Sequence, residues 1–252
     1  MATRHRRPNR GLARRTARKA AAPLYRLLHP RKPAFTCPIC NYQGPFRDKR
    51  DRRHAKCPSC GALERTRLLF AVLSPLLESF SPERKRVLHI APEAQLDEWL
   101  RGRFGHYVSG DLQRMDVNAR VDIQHLPFPD ATFDLVVASH VLEYPEDDRK
   151  AIAEVQRVLR ADGIAALPVP LMHFRTRDLP ARDATTRVMH EPGLDYFQRM
   201  EANFAQVHLH RSDEVNPAHQ PFIHAPTDKT PPLLVHQPNV RLDVVPICLT
   251  KP

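Results

Sequence analysis

Four of the five cysteines stand as two pairs, Cys37-Pro-Ile-Cys40 and Cys57-Pro-Ser-Cys60, which gives C-x2-C-x16-C-x2-C. A two-residue spacer lets both sulfurs of a pair face one point from a tight turn. Two such turns supply four thiolates, the closed tetrahedral shell that zinc takes at structural sites. Gly61 follows the second pair, where a knuckle turn favours a residue without Cβ. The residues between the pairs are polar and charged, too poor in apolar groups to form a core without metal. Two redox pairs, or four thiols with no ligand, are the competing readings, and the doubled spacing favours zinc. With four protein ligands the metal has no open position, so it is expected to be structural. The fifth cysteine, Cys248, stands alone.

Charge sets a second boundary. The 252 residues carry a formal net charge of +11. Eleven of the 39 Lys and Arg fall within residues 1–33, which hold no Asp or Glu. The remaining 28 basic residues balance 28 acidic ones, so the body is neutral and the excess belongs to an arm. Pro8, Pro23, Pro30 and Pro33 interrupt that arm, and its composition predicts disorder, with a short basic helix from Leu12 to Leu28 as the alternative. The arm could meet RNA or an anionic surface. No run of 18 apolar residues occurs and the start has no apolar signal core, which places the expected location in the cytoplasm.

The elements that must position any site follow from hydrophobic period. Leu63, Leu68, Leu69, Val72, Leu73, Leu76, Leu77 and Phe80 lie on one helical face, bent at Pro75. From Arg84 the pattern alternates. Residues 86–91 (RVLHIA) read as a strand, 93–104 as a helix and 106–112 (HYVSGDL) as a strand. The stretch LPFPDATFDLVVAS holds a loop and a buried strand, 146–160 an amphipathic helix, 164–170 a strand and 240–250 a last strand. Such alternation predicts an α/β fold, a Rossmann-like, mostly parallel sheet with helices on both faces, preceded by a small zinc ribbon. The expected divisions are an arm over 1–33, a ribbon over 34–63, a connector helix over 64–83 and an α/β domain over 84–252.

The words RVLHIAPE, DIQHLPFPDATFDLVVASHVLEY and EVQRVLRADG, together with CPICNYQGPF and CPSCGALERTRLL, carry a resemblance. Residues 84–252 resemble class I S-adenosylmethionine-dependent methyltransferases of the type 11 kind. Residues 35–252 as a whole are similar to a bacterial subgroup with an N-terminal four-cysteine zinc ribbon. The resemblance implies S-adenosylmethionine as cofactor. It places Asp111, with Leu112 beside it, at the ribose hydroxyls. It places Asp122 at the adenine amine and Ile123 at the ring face. It brings His140, after the fourth strand, to the same crevice. Asp111 and Asp122 can also be read as ordinary loop caps.

The sequence departs from the family's first motif, acid-x-Gly-x-Gly-x-Gly. Here it reads His89-Ile90-Ala91-Pro92-Glu93-Ala94-Gln95, as the ribbon-bearing subgroup commonly does, and Ala91 and Glu93 stand at cofactor positions. Glu93 is expected to meet the cofactor's ammonium. Ala161-Asp162 replaces a usual Pro-Gly, and Tyr144 a common His. His140 and Glu143 are the expected catalytic groups, with His173 and His190 as looser candidates.

Cys248 lies on a predicted last strand away from the crevice, which argues against pyrimidine carbon methylation through a cysteine nucleophile. Ser139-His140-Val141-Leu142 stands where base-amino methyltransferases carry Asn-Pro-Pro-aromatic. The expected acceptor is therefore a hydroxyl, carboxyl or amine, or a ring nitrogen of a base, more readily on a small molecule. An RNA methyltransferase gripping phosphate through ribbon and arm, and a non-catalytic binding protein, are the alternatives.

Overall fold

The computed structural model describes residues 10–228 and 230–250, with side chains from residue 16 onward. The chain opens with α1 (Arg10–Leu28). The ribbon follows as β1 (Phe35–Thr36), β2 (Gln43–Gly44), β3 (Arg47–Lys49) and β4 (Arg52–Lys56). Helix α2 (Glu64–Glu78) leads into β5 (Arg86–Ile90), α3 (Ala94–Arg101), β6 (His106–Asp111), β7 (Ala119–Arg120) and β8 (Phe133–Ala138). Then come α4 (Asp148–Val158), β9 (Leu159–Ala166), β10 (Arg177–Asp178), β11 (His190–Glu191), α5 (Phe197–Glu201) and β12 (Gln206–Arg211). The chain closes with β13 (Ile223–His224), β14 (Val235–Gln237), β15 (Val240–Arg241) and β16 (Val244–Leu249).

The central sheet runs β12-β16-β9-β8-β5-β6-β7. Its pairings are parallel from β7 through β9, and β16 is antiparallel to both β9 and β12. The expected α/β sheet is therefore present, with one reversed strand inserted near an edge. Every residue of β8 is buried, as a strand covered on both faces must be. Val136 and Ala138 pack toward α4 and α5, while Leu135 and Val137 pack toward α2 and α3. Asp147 caps α4 by accepting from the Lys150 amide at 2.9 Å.

Several boundaries differ from the sequence reading. The helix expected over 146–160 ends at Val158, and β9 begins at once. The strand expected over 240–250 is two strands, β15 and β16, in different sheets. The helix expected as a connector is a layer of the α/β domain: Leu68, Leu69, Val72, Leu73 and Leu77 bury against β5, β8 and β16 side chains.

The arm also differs. Residues 1–9 lie outside the described residues, but 10–28 are helical rather than disordered. Its docking is the reason. Ala22 is buried, the Arg47 guanidinium lies 4.5 Å from the centre of the Tyr25 ring, and Lys32 pairs with Asp48 at 3.1 Å. Gly61, at φ +86, admits the Arg18 side chain, whose Nη1 would stand 2.1 Å from any Cβ there. These contacts order a segment whose composition alone does not.

The ribbon is not an appendage either. Strands β3 and β4 belong to a five-stranded sheet, β14-β15-β13-β4-β3, so the C-terminal segment splices into it. His224 of β13 pairs with Arg53 of β4. Beneath this splice Arg67 of α2 is wholly buried. It donates to Ala55 and Ala62 of the ribbon at 3.0 and 2.8 Å, and to His219 and Gln220 at 2.9 and 2.7 Å. Its guanidinium also lies 4.5 Å from the Phe46 ring centre. Gln220 returns a side-chain bond to the His54 carbonyl at 2.8 Å. Arg67→Ala would remove four hydrogen bonds to backbone carbonyls, leave the Ala62 carbonyl with only the Cys57 amide, and open a void. Urea unfolding of that variant should show a loss of about 3–5 kcal/mol, whereas a loss within experimental error would remove Arg67 from this role.

Candidate functional site

Strand order reverses between β5 and β8, since β6 and β7 lie on one side and β9 on the other. In an open α/β sheet the crevice outside the carboxyl ends at that point receives ligands. Three chain segments meet there. Residues 91–93 leave β5, Asp111 ends β6, and residues 139–143 leave β8.

The turn after β5 keeps a glycine-like path without glycine. Ala91 has φ 49, in the left-handed region, and its amide donates to Gly110 at 2.8 Å. For a residue with a Cβ that conformation costs about 1–2 kcal/mol. His140 is also left-handed at φ 54, with its amide on the Pro168 carbonyl at 2.8 Å.

The crevice holds a set of buried polar atoms with no hydrogen-bond partner. They are His89 Nε2, both carboxylate oxygens of Glu93, Ser139 Oγ, His140 Nε2 and Glu143 Oε2. His89 Nε2 faces Glu93 at 3.4 Å and Ser139 acts on the same carboxylate, so the unanswered capacity is that of His140 Nε2, Glu143 Oε2 and the rest of the Glu93 carboxylate, which a ligand would satisfy. Glu93 shows its charge state. Burial works to raise its carboxyl, but the contacts with His89 and Ser139 and the positive charge of Arg65 outweigh burial and hold it below the usual range. It therefore stands as a buried carboxylate, with His89 Nε2 at 3.4 Å. Behind it, Tyr107 donates to Asp97 at 2.6 Å, so its oxygen accepts from His89 Nδ1 at 3.0 Å. That bond fixes the His89 ring and turns Nε2 toward Glu93.

His140 and Glu143 come together as expected, with Nδ1 3.6 Å from Oε1 and both side chains largely buried. The Glu143 carbonyl accepts from the amides of Met189 and His190, which ties the β10–β11 hairpin over this corner. His190 belongs to the scaffold. Its Nδ1 lies 2.7 Å from Asp178 and its Nε2 3.0 Å from the Pro145 carbonyl, leaving neither nitrogen for chemistry. His173 sits at the rim beside Glu191, at 3.5 Å.

The adenosine side is less committed. Asp111 ends β6, and its Oδ1 accepts from the amides of Gln113 and Arg114 at 2.8 and 2.9 Å. Leu112 beside it is 51% exposed, an apolar side chain open to a flat ligand. Asp122 is turned into its own loop, accepting from the Gln124 amide at 2.9 Å, while Ile123 is buried. Both acids thus serve as loop caps. His89, Ser139 and Arg65 carried no signal in the sequence, because each acquires its place only when β5, β8 and α2 come together.

The ribbon sulfurs converge. Those of Cys37, Cys40, Cys57 and Cys60 all lie within 4.8 Å of one another, with Cys37 to Cys60 at 3.6 Å and Cys40 to Cys57 at 3.7 Å. A tetrahedron of sulfurs about 2.3 Å from a central zinc has edges of about 3.8 Å. A disulfide would bring two of them to about 2.0 Å. The donor set and its spacing therefore fit zinc. Cys248 is buried beside Met200, its sulfur 3.8 Å from Sδ, with its thiol pushed up by burial. No helix among the described residues is long and apolar enough to cross a membrane.

Known proteins agree with this architecture. Residues 76–167 match the methyltransferase domain family. A probable S-adenosylmethionine-dependent methyltransferase of Mycolicibacterium smegmatis is 36% identical over 83 residues, which is 26% of this chain and 32% of that protein. The match thus spans about a third of that relative's length. Among solved structures, the cyclase SpnF superposes with a TM-score of 0.51 at 14% identity, covering 94% of each chain. An S-adenosylmethionine-dependent methyltransferase from Mesorhizobium loti gives 0.46 at 16% identity over 72% of this chain and 99% of its own. Residues 76–167 thus match the methyltransferase domain family, and the chain shares its fold with SpnF.

Proposed function

We propose that the protein is an S-adenosylmethionine-dependent methyltransferase acting on an oxygen or nitrogen of a small molecule, with a structural zinc in its ribbon. The observation that carries this reading is the cluster of unsatisfied buried polar atoms between the ends of β5 and β8. When bound, the cofactor supplies an electrophilic sulfonium methyl. Glu93, a buried carboxylate, fits its ammonium. Asp111 fits the ribose hydroxyls, and Leu112 and Ile123 fit the faces of a purine. Asp122 accepts from the adenine amine once Gln124 yields. His140, oriented by Glu143, is the group that takes the acceptor's proton.

A balanced charge outside residues 1–33 favours a small acceptor over a long RNA groove. One observation supports a second reading. The fold is shared with a protein named as a cyclase, so the fold alone does not fix methyl transfer. A binding or non-transferring role is that alternative.

Calorimetric titration with S-adenosylhomocysteine separates these from a crevice that holds no cofactor. Wild-type protein should bind, and Asp111→Ala should lose about tenfold to several hundredfold in affinity, since a hydrogen bond to a charged acceptor is worth about 1.5–3 kcal/mol. Absence of heat at millimolar ligand, with an unshifted melting temperature, would reject the cofactor site. The metal is tested separately. Elemental analysis should give one zinc per chain, and well under one would refute the site. Chelation, or Cys60→Ser, should unfold residues 35–63 and also lower the melting temperature of the α/β domain. That domain leans on the ribbon through the Cys60 carbonyl to Gln95 and the Ala62 carbonyl to Arg67.

A further inference from the structure

The second residue of α2 is Arg65, and its place in the fold is unusual. Helix α2 starts directly after the second cysteine knuckle. That knuckle is fixed to the first turn of α3, since Gln95 Nε2 donates to the Cys60 carbonyl at 2.9 Å. Gln95 stands two residues beyond Glu93, so the start of α2 is brought up to the cofactor turn. The positive charge of Arg65 acts on Glu93, on Tyr144 beyond the end of β8, and on Lys49 of the ribbon. Glu93 and Tyr144 follow the ends of β5 and β8, so the Arg65 charge acts on the crevice from the start of α2.

Arg65 is nonetheless unmatched there. Its Nε is buried with no hydrogen-bond partner, and it makes no ion pair with a described residue. The acids around it are otherwise engaged or turned away. Glu64 pairs with Arg52 at 3.4 Å, and Asp97 with Arg101 and Tyr107. Glu93 feels the Arg65 charge but makes no ion pair with it, and one of its oxygens lies 3.4 Å from His89 Nε2. A guanidinium whose buried Nε is unanswered and a carboxylate held only by that longer contact both keep capacity for a ligand. One ligand group satisfies both at once: an α-amino acid, which carries an ammonium and a carboxylate on a single carbon. The planar guanidinium fork matches a carboxylate in two parallel hydrogen bonds.

We propose that Arg65 is a cofactor-binding residue contributed by the ribbon side of the molecule, holding the carboxylate of the cofactor's methionine end while Glu93 holds its ammonium. This rests on the reading of the crevice as a cofactor site. The helix that follows the second knuckle then completes that site.

The test uses the zinc-loaded full chain and two ligands in calorimetric titrations. S-adenosylhomocysteine has the amino-acid end, and 5′-methylthioadenosine lacks it. Wild-type protein should bind both. Arg65→Gln should weaken S-adenosylhomocysteine by about tenfold to a hundredfold and leave 5′-methylthioadenosine unchanged. Arg65→Lys should fall between, since it keeps the charge but not the fork. Unchanged S-adenosylhomocysteine affinity in Arg65→Gln would overturn the inference while leaving the cofactor site intact. Equal loss of both ligands in both variants would overturn it too, by making Arg65 a structural residue. Failure of the wild-type protein to bind either ligand would bring down the cofactor site itself, and the inference with it.

Discussion

The Arg67 guanidinium is a cation with no access to solvent, and four backbone carbonyls from two distant stretches of chain surround it. Burial works against its charge, and the neighbouring Glu64 favours it. Such a group is tolerated only where every donor is answered. Its neighbours therefore have little freedom: the knuckle at Ala62, strand β4 at Ala55 and the turn at residues 219–220 must all arrive together. Once they do, the ribbon, α2 and the C-terminal segment form one body. The orientation of the ribbon toward the crevice follows from this. Cys60 meets Gln95, and the first turn of α2 faces Glu93.

The loss of glycines from the first motif has a structural answer. Ala91 stands where the first glycine would, and keeps φ 49. Asp162, where the family has glycine, is left-handed at φ 59, a conformation that Asp tolerates better than most. The backbone path has been retained and the side chains changed around it. What the turn gains is Glu93, a carboxylate close to the end of β5, and His89, whose ring is fixed by Tyr107. A glycine-rich loop offers backbone amides to a ligand, whereas this one offers charge.

The parts legible in the sequence were those with local signatures. Cysteine spacing located the ribbon sulfurs, and alternation of β-rich and amphipathic stretches located β5, β6, β8 and the helices between them. His140 and Glu143, three residues apart at the end of a buried strand, were within reach of the same reasoning. Strands of two residues, such as β13 and β15, carry no period at all, so their splice with β4 could not be read. Basic composition concealed the docking of α1, because the groups that hold it, Asp48 and the Arg47 guanidinium over Tyr25, lie on another element. The burial of Arg67 and of the Arg65 Nε is a property of what packs on that side of α2, and the helical period gives no sign of it.

The splice between β4 and β13 has a consequence during synthesis. The cysteines leave the ribosome long before the residues that complete their sheet. The carbonyls that answer Arg67 lie 152 and 153 residues further along the chain. At elongation rates of about 5–20 residues per second, some 8–30 s separate the two. Through that interval β4 has its local partner β3 but not β13, and Arg67 has only half its partners. Metal capture is local and early, whereas closure of the body around it is long-range and late. Until the C-terminal segment arrives, the β4 edge that β13 covers stays open, and there a holding chaperone or a misplaced strand would first engage.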